Sequence, residues 1–470
     1  MTETCRARST DGRTMTLFLT GPGPSLLPGD LVVADDGEES YLAQVVQPPL
    51  PASTLEPARP GTGSVIGRIG ADLVPHRSDR APFADAAVSP AGPDHLGALL
   101  DARGADLPIG TWSAGDGGVA ARVRAAGFNR HSFLCGQSGS GKTYALGVVL
   151  EQLLLHTDLR MVVLDPNADF VRLDQPREGA DAAQVERVAH MVRHGFRALG
   201  APGNEAGREP MLLRLMTMPR RAQAAVLQLD PILNREEYHS FHQLTSTIRS
   251  SEVAEMVVEM AAQGGGAAAL AQRLENLGLV DWEVWARDRR SAAETIAEEG
   301  GTTVLDLSGF RDPREPLAVT LDVVEHLWTH KEDRTPTLLV IDEAHNLCPP
   351  DPEDPLAAAV VRRLVQIAAE GRKYGLWLLL STQRPSKIHP QVLTQCDNLV
   401  LMRMNSPADL GELGTVFGFA PADMVAASPE FVQGEALLAG GFVAVPSLIR
   451  MGERLTREGG SDVPVPIARR

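Results

Sequence analysis

Cysteine is scarce in this sequence: 470 residues include four, and they stand far apart. No C-x-x-C pair occurs, which argues against a zinc ribbon and against the disulfide framework of a small secreted domain. Long apolar runs are lacking too. None approaches the roughly 18 residues that a membrane-spanning helix needs, and the apolar core at 17–19 is too brief for a signal peptide. These absences predict a cytoplasmic protein.

Positive charge is also in short supply. Lys and Arg number 44 against 60 Asp and Glu, and the resulting net charge of −16 argues against a generic nucleic-acid coat protein. One stretch departs from this balance, since residues 356–403 hold seven basic and two acidic side chains. It is either a local track for DNA or an ordinary solvated face, and the composition leaves both open. Its basic members are Arg362, Arg363, Arg372, Lys373, Arg384, Lys387 and Arg403.

A glycine-rich stretch matches the phosphate-loop pattern G-x-x-x-x-G-K-[ST] at every fixed position. It follows the apolar run 132–135 and precedes a helical segment over 144–155, the context that the pattern requires. Backbone N–H groups of such a loop hold phosphate oxygens, and the helix N-terminus adds partial positive charge. We expect Lys142 to contact the β- and γ-phosphates of ATP and the Thr143 hydroxyl to bind Mg²⁺. The nucleotide-binding residues are Gly136, Gln137, Ser138, Gly139, Ser140, Gly141, Lys142 and Thr143.

Polar side chains follow two further apolar runs. Asp342 and Glu343 come after one run and Gln383 after the next, at the sheet edge where open α/β proteins bind ligands. We expect Asp342 to hold Mg²⁺, Glu343 to act on the attacking water, and Gln383 to sense the γ-phosphate or orient that water. Amphipathic segments separate the runs, which is typical of a parallel sheet covered by helices. The runs are 160–164, 303–307, 338–341, 376–382 and 398–402.

The predicted fold is α/β: a P-loop ATPase core with a mainly parallel sheet, an inserted helical subdomain and an N-terminal small β-barrel. Short β-prone runs between Gly and Pro residues predict the barrel, and leucines at helical spacing predict the insertion. Apolar runs at 435–438 and 442–445 predict a C-terminal hairpin. The expected boundaries are 1–14 for a disordered N-terminus, 15–95 for the barrel-like module, 107–173 and 301–425 for the two parts of the core, 174–300 for the insertion, and 426–470 for the hairpin and tail.

Arg372 precedes the strand that ends at Gln383, so its own subunit would hold it at the wrong end of the sheet to reach its own nucleotide. In a ring it would project into a neighbour's site as an arginine finger, a device worth ~10³–10⁵ in rate. The alternative is an ordinary surface arginine. Lys373, Arg384 and Lys387 are candidate DNA contacts.

Several motifs around these residues strongly resemble the HerA family of RecA-like ATPases, which belongs to the HerA/FtsK group. The segment 381–386, spaced after Gly371-Arg372-Lys373, is far more specific than the phosphate loop. The resemblance covers the core with its insertion and extends to the barrel. The matching segments are 129–131, 165–170, 339–345, 370–375, 381–386 and 392–397.

The resemblance implies a homohexameric ring that binds double-stranded DNA in its channel and moves it using ATP. It also implies a partner nuclease or other effector docked on the barrel, in DNA end processing or anti-phage defence. By the family pattern Asp342 and Glu343 serve the metal and hydrolysis, Gln383 is the sensor, and Arg372 is the finger that acts in trans.

The chain departs from the family at Ala168-Asp169, where members commonly carry Gly-Glu, so its acidic residue has a shorter arm. The barrel is interrupted by a proline-rich connector at 48–60, which leaves the partner open. A second function of a different class is an ATP-gated scaffold that regulates a bound effector without processive movement. A secretion or conjugation pump is disfavoured because no membrane segment is present.

Overall fold

The structure is a computed structural model, and it describes residues 5–19, 26–51, 57–113, 118–203, 208–244, 253–298 and 300–459. The chain forms two compact units. The first contains residues 1–156 and 396–454, and the second contains residues 157–395 and 455–470. No helix among the described residues has the length and apolar character that crossing a membrane requires. Most of the predicted tail, from residue 460 onward, lies outside the described residues.

Seven short strands occupy the N-terminal part of the first unit: β1 Cys5–Ser9, β2 Thr14–Leu19, β3 Leu31–Asp35, β4 Ser40–Gln47, β5 Gly61–Ile69, β6 Pro75–His76 and β7 Phe83–Pro90. Six of them close into a barrel in the order β2-β1-β7-β3-β4-β5, because β5 pairs back onto β2. Their inward-facing side chains form a core in which the rings of Tyr41 and Phe83 stack at 5.1 Å. The predicted N-terminal β-barrel is therefore confirmed.

The N-terminus predicted to be disordered over 1–14 contains strand β1, so that prediction is wrong from Cys5 onward; residues 1–4 lie outside the described part. Strand β1 lies between β2 and β7, and Cys5 and Ala7 are buried in the barrel core. Arg6 lies on the outer side of β1 and pairs with Asp85. The sequence does not reveal this strand because its inward-facing residues are small and one of its two partners, β7, lies far along the chain.

After the barrel, the first unit continues with a helix, an antiparallel strand pair, a buried strand and a long helix: α1 Pro93–Ala102, β8 Leu107–Trp112, β9 Ala120–Val123, β10 His131–Cys135 and α2 Lys142–His156. Every residue of β10 is buried. The glycine-rich stretch 136–141 joins β10 to α2, so the strand–loop–helix context required by the phosphate-loop pattern is present.

The second unit is built on six parallel strands in the order β13-β12-β14-β11-β15-β16. Strands β11, β14, β15 and β16 coincide with four of the predicted apolar runs and are almost wholly buried. The elements of this unit are β11 Arg160–Asp165, α3 Ala182–Met191, β12 Phe196–Gly200, β13 Glu209–Pro210, α4 Arg220–Val226, α5 Arg235–Leu244, α6 Val253–Gln263, α7 Gly265–Asn276, α8 Ala292–Glu298, β14 Thr302–Asp306, α9 Arg314–Thr329, β15 Thr337–Ile341, α10 Pro355–Glu370, β16 Leu376–Thr382 and α11 Pro390–Leu393.

The described residues between 174 and 300 are mainly helical, but they also contain two strands, β12 and β13, that the sequence does not predict. Strand β12 pairs in parallel with β14, with Leu199 opposite Leu305. Only Leu199 and Gly200 among its five residues are buried, so β12 lacks the apolar run that reveals the other strands. Its place is decided by pairing with β14, which lies far along the chain.

The chain then returns to the first unit through β17 Cys396–Met402, α12 Pro407–Val416, α13 Ala422–Ala426, β18 Glu435–Gly440 and β19 Ser447–Met451. Strand β17 is parallel to β10, whereas β18 and β19 are antiparallel neighbours that lead to β8. The predicted hairpin is present, but its second strand begins at Ser447 instead of Phe442. Phe442 is buried edge-on against Phe128, with ring centroids 5.6 Å apart, before the strand begins.

Candidate nucleotide-binding and catalytic residues

The phosphate loop lies in the first unit, and its backbone requires glycine at three positions. Gly139 and Gly141 have φ angles of +74° and +92°, a left-handed region that other residues enter only with strain. A Cβ atom on Gly136 would lie 2.8 Å from the Cβ of Met402, at the end of β17. The loop adopts this shape because these positions carry no side chain.

The end of β17 holds the loop in place. The amide of Gln137 donates to the carbonyl of Arg403 at 2.9 Å, and Nη2 of Arg403 donates to the carbonyl of Gly139 at 3.2 Å. The amide of Asn405 donates to Oε1 of Gln137 at 3.2 Å. The sequence pattern counts Arg403 only as one charge of the basic stretch and misses this contact. Its position after a buried strand, where functional residues gather, is the signal that could have revealed it.

Lys142 and Thr143 open helix α2. Lys142 is 4% exposed, and the buried hydroxyl of Ser140 has no hydrogen-bond partner among the described residues. The first N–H groups of a helix lack partners within it and carry partial positive charge. Together with the lysine ammonium they form a set of donors suited to phosphate oxygens. The Thr143 hydroxyl is an oxygen ligand of the kind that Mg²⁺ prefers.

In the second unit, Glu343 follows strand β15 and is oriented by two polar side chains. Its Oε1 accepts a hydrogen bond from Nε2 of Gln383 at 2.8 Å, and its Oε2 lies 3.3 Å from Nδ1 of His345. Glu343 is 6% exposed and has a φ of +43°. Such a conformation costs a glutamate about 1–3 kcal/mol and is concentrated at functional sites. The structure therefore brings together Glu343 and Gln383, which the sequence predicts from two different strands.

His345 and Thr382 extend this cluster, and the sequence pattern assigns neither of them a role. Nδ1 of His345 lies 3.0 Å from Oγ1 of Thr382, which accepts the amide of Arg384 at 3.0 Å. Thr382 is fully buried. His345 therefore links the Glu343 carboxylate to the strand end that carries Gln383. Its place two residues after Glu343 is the signal that could have drawn attention to it.

Asp342 and Asp165 follow or end the neighbouring strands β15 and β11, and both are fully buried. The carboxylate of Asp165 accepts the amides of Asp169 and Phe170 at 3.0 and 2.8 Å. Burial, aided by the charges of Asp169 and Asp342, raises the pKa of Asp165 to about 7. Magnesium in enzymes of this kind takes one or two carboxylates and the substrate phosphates, and the oxygens of Asp342 suit that role.

The structure separates the predicted basic residues into two groups. Arg372 and Lys373 lie in a 3₁₀ turn before the amino end of β16, whereas Arg384 and Lys387 follow its carboxyl end. Lys373 is therefore not brought beside the other two candidate DNA contacts. Arg372 lies at the edge of the parallel strands opposite to Glu343.

Two solved structures are similar to this chain in fold. VirB4 of Thermoanaerobacter pseudethanolicus matches with a TM-score of 0.50 and 15% identity, covering 74% of this chain and 97% of that one. The bacterial conjugative coupling protein TrwBdeltaN70 matches with a TM-score of 0.51 and 14% identity, covering 77% and 92%. Identities this low concern the fold alone. These two fold similarities, together with the phosphate loop and with Asp342 and Glu343 after β15, define a fold of the P-loop ATPase class.

Sequence comparison finds similar proteins of one family. The model of the helicase HerA central domain matches residues 107–325. The DNA double-strand break repair helicase HerA of Pyrococcus furiosus is 21% identical over 391 residues, 69% of this chain and 65% of that protein. The corresponding protein of Sulfurisphaera tokodaii is 28% identical over 171 residues, 35% of this chain and 34% of that protein. These matches support membership of the HerA family, and the chain spans about two thirds or less of these relatives.

Proposed function

We propose that this chain is a HerA-type motor that couples ATP hydrolysis to movement along double-stranded DNA. The hydrogen bond from Gln383 to the strained, buried Glu343 carries the proposal. Phosphoryl transfer to water depends on positioning and charge stabilisation, and a carboxylate held in one orientation suits that task. A DNA substrate is supported by the relative from Pyrococcus furiosus, which is described as a DNA double-strand break repair helicase.

The roles proposed for individual residues follow from their donor and acceptor atoms. Lys142 and the loop amides bind the phosphates of ATP, and the oxygens of Thr143 and Asp342 would hold Mg²⁺, which neutralises phosphate charge when bound. Glu343 accepts the proton of the attacking water and orients it. Gln383 holds the Glu343 carboxylate, and its amide is positioned to respond to the γ-phosphate.

We further propose a homohexameric ring in which Arg372 acts on the nucleotide of a neighbouring subunit. Arg372 lies at the strand edge opposite to Glu343 of its own unit, so a role in the same chain would require it to cross the length of β16. A guanidinium supplied in trans stabilises the charge that develops on the transferred phosphoryl group.

DNA and a protein partner complete the proposal. Lys373, Arg384 and Lys387 are exposed cations suited to backbone phosphates. The N-terminal barrel has its own hydrophobic core, and we propose it as the docking surface for a partner nuclease or other effector. Such a complex would act in DNA end processing or in anti-phage defence.

ATPase measurements with and without linear duplex DNA, at low salt, test this proposal. Duplex DNA is expected to raise the rate of the parent chain. Glu343→Gln removes the proton acceptor and is expected to lower turnover by about 10²–10⁴-fold, while nucleotide binding is retained. Glu353→Gln, the same change at an exposed position before α10, is the matched control.

Unchanged turnover in Glu343→Gln would show that hydrolysis does not depend on this carboxylate. A rate that duplex DNA leaves unchanged would remove the main support for translocation and favour the ATP-gated scaffold. That second function predicts effector activity in Glu343→Gln whenever ATP is bound.

A further inference from the structure

The second unit contains a cavity of about 130 Å³ at the strand edge opposite to Glu343. It lies where β11 and β16 begin and where α9 ends. Four of its lining residues are basic and one is acidic. Its polar lining residues include Arg160, His326, His330, Lys331, Asp333 and Tyr374.

Arg160 is a partly buried cation that forms no ion pair with a carboxylate among the described residues. Its Nε donates to Oγ1 of Thr337 at 3.0 Å, and its Nη1 donates to the carbonyl of Ile296 at 3.2 Å. Both acceptors are uncharged. Burial lowers the pKa of Arg160, because the charged form loses its solvation. A charge withdrawn from water is normally paired, and the Arg160 guanidinium has no counter-ion among the described residues.

Lys331 supplies a second cation. Its Nζ lies 4.8 Å from the ring centroid of Trp328 and 5.4 Å from that of Tyr374, within the range of a cation–π contact. Its ion pair with Glu332 is long, 3.9 Å, and the Glu332 side chain is 70% exposed. The aromatic rings thus hold the ammonium in place and leave most of its charge available to a ligand.

Two histidines line the cavity, and one of them, His326, is a neutral donor. The rings of His326 and His330 lie 4.2 Å apart. Burial, with the charges of His330 and Arg160, lowers the pKa of His326 to about 4. At neutral pH its imidazole is therefore uncharged and carries one N–H donor.

We propose that this cavity binds one tetrahedral oxyanion of the phosphate type, with Arg160 and Lys331 as its charged donors. Charge-assisted bonds from guanidinium and ammonium groups to phosphate oxygens are strong. The carbonyls at the ends of α8 and α9 would disfavour an anion. However, two of these carbonyls already have a partner. Arg160 donates to the carbonyl of Ile296, and Nδ1 of His330 lies 2.9 Å from the carbonyl oxygen of His326.

The anion comes either as free inorganic phosphate or as a phosphate of a DNA backbone. Tyr374 lines the cavity and also closes the turn that carries Arg372 and Lys373. An ion bound here would therefore contact the base of that turn.

Calorimetry with inorganic phosphate at constant ionic strength tests the site. The whole 470-residue chain carrying Lys142→Ala is used so that the phosphate loop does not compete. In that background, Lys331→Ala and Arg160→Gln are each expected to raise the Kd for phosphate at least about tenfold, in line with the loss of a charge-assisted bond. Arg334→Ala, a neighbouring arginine that does not line the cavity, is expected to leave the Kd unchanged.

Equal phosphate affinity in Lys331→Ala and its parent, or no phosphate binding by the Lys142→Ala chain, overturns the proposal. In the described part of the chain no backbone acceptor binds the Lys331 side chain, so its variant provides the test even where Arg160→Gln fails to fold. A short duplex added in competition identifies the source: displaced phosphate assigns the site to the DNA backbone, and retained phosphate assigns it to the free ion. The hydrolysis proposal is tested separately at Glu343, so either proposal can fail alone.

Discussion

Ala168, in the loop after β11, has a φ of +61°. The HerA family pattern commonly has glycine here, and glycine adopts this left-handed region without steric penalty. The loop keeps Ala168 in place because the amides of Asp169 and Phe170 bond to the buried carboxylate of Asp165. The carbonyl of Asp169 also accepts the amide of Gly459. Alanine in place of the glycine of the family pattern therefore strains the backbone at this position, and one substitution can remove that strain.

We predict that Ala168→Gly raises the free energy of unfolding of the second unit by about 0.5–1 kcal/mol. Removing the Cβ relieves about 1–2 kcal/mol of left-handed strain, and the greater freedom of glycine in the unfolded chain offsets about 0.4–1 kcal/mol of that gain. Urea denaturation followed by tryptophan fluorescence measures the change.

The control for this prediction is Ala189→Gly, at an exposed position of helix α3. It is expected to lower the free energy of unfolding by about 1 kcal/mol. Equal losses in the two variants would show that the backbone at Ala168 is not strained.

Asp165 predicts a dependence of stability on pH. Its pKa is raised from 3.8 to about 7 in the folded protein, so the folded state binds the proton more tightly than the unfolded state. The resulting stabilisation is complete below about pH 4 and is lost as the pH rises through about 7. Asp165→Asn cannot ionise, so its stability relative to the parent should increase from about pH 5 to pH 8.

Thermal melts of both chains across this pH range measure the difference. The absolute stability of Asp165→Asn also reflects the loss of one acceptor for the two amides, so the trend with pH is the informative quantity. A difference that stays constant across the range would contradict a raised pKa at Asp165.

Arg372, the proposed arginine finger, and Gln383, the proposed sensor, lie at opposite ends of strand β16. The turn that carries Arg372 joins helix α10 to this strand. Strand β16 has seven residues, so about 20 Å separates the turn from Gln383. Two contacts hold the turn Gly371–Tyr374 in place. The Tyr374 ring packs edge-on against the Trp328 ring with centroids 6.0 Å apart, and the carbonyl of Gly375 accepts a hydrogen bond from the amide of Thr337 at 2.8 Å. Arg372 is therefore carried on a part of the fold with little freedom to reorient.

Co-expression of two inactive chains tests whether Arg372 acts across subunits. Lys142→Ala and Arg372→Ala are each expected to abolish most turnover alone. A mixed assembly should regain activity, because an intact loop from one chain then meets an intact Arg372 from the other. The ATPase rate of the purified mixture is the measurement.

Co-expression of Lys142→Ala with Thr143→Ala is the matched control, since both changes lie in the same loop and no arrangement of chains restores it. Recovery in neither mixture would mean that Arg372 acts within its own chain or outside hydrolysis. Full activity of Arg372→Ala by itself would remove the finger role.

For the molecule as a whole, a net charge of −16 means that the chain meets DNA only where cations are concentrated. Arg384 and Lys387 are exposed near the carboxyl end of β16. If both contact phosphates, their replacement by alanine should reduce the slope of log K for duplex DNA against log salt by about 2. Binding titrations between low and moderate salt measure this slope.

Arg8→Ala, an exposed arginine on the outer side of the barrel, is the control and should leave the salt dependence unchanged. An unchanged slope in the Arg384→Ala, Lys387→Ala chain would place the DNA contacts elsewhere in the molecule.

Features with a local signal are specified by the amino-acid sequence alone. The phosphate loop is one contiguous pattern, and its glycines are required by the left-handed backbone at Gly139 and Gly141. The buried strands of the second unit are continuous apolar runs. Since parallel strands end at a common edge, the sequence is sufficient to assign Asp342, Glu343 and Gln383 to one edge of the sheet.

Features that depend on contacts between distant segments are specified only by the folded chain. Strand β12 is fixed by its pairing with the distant β14, and β1 by its pairing with the distant β7. The hold of Arg403 on the phosphate loop, and the link from His345 through Thr382, follow from side-chain directions that local sequence does not encode. Lys373 and Arg384 are separated for the same reason. The charge pattern of the basic stretch does not show that strand β16 lies between them.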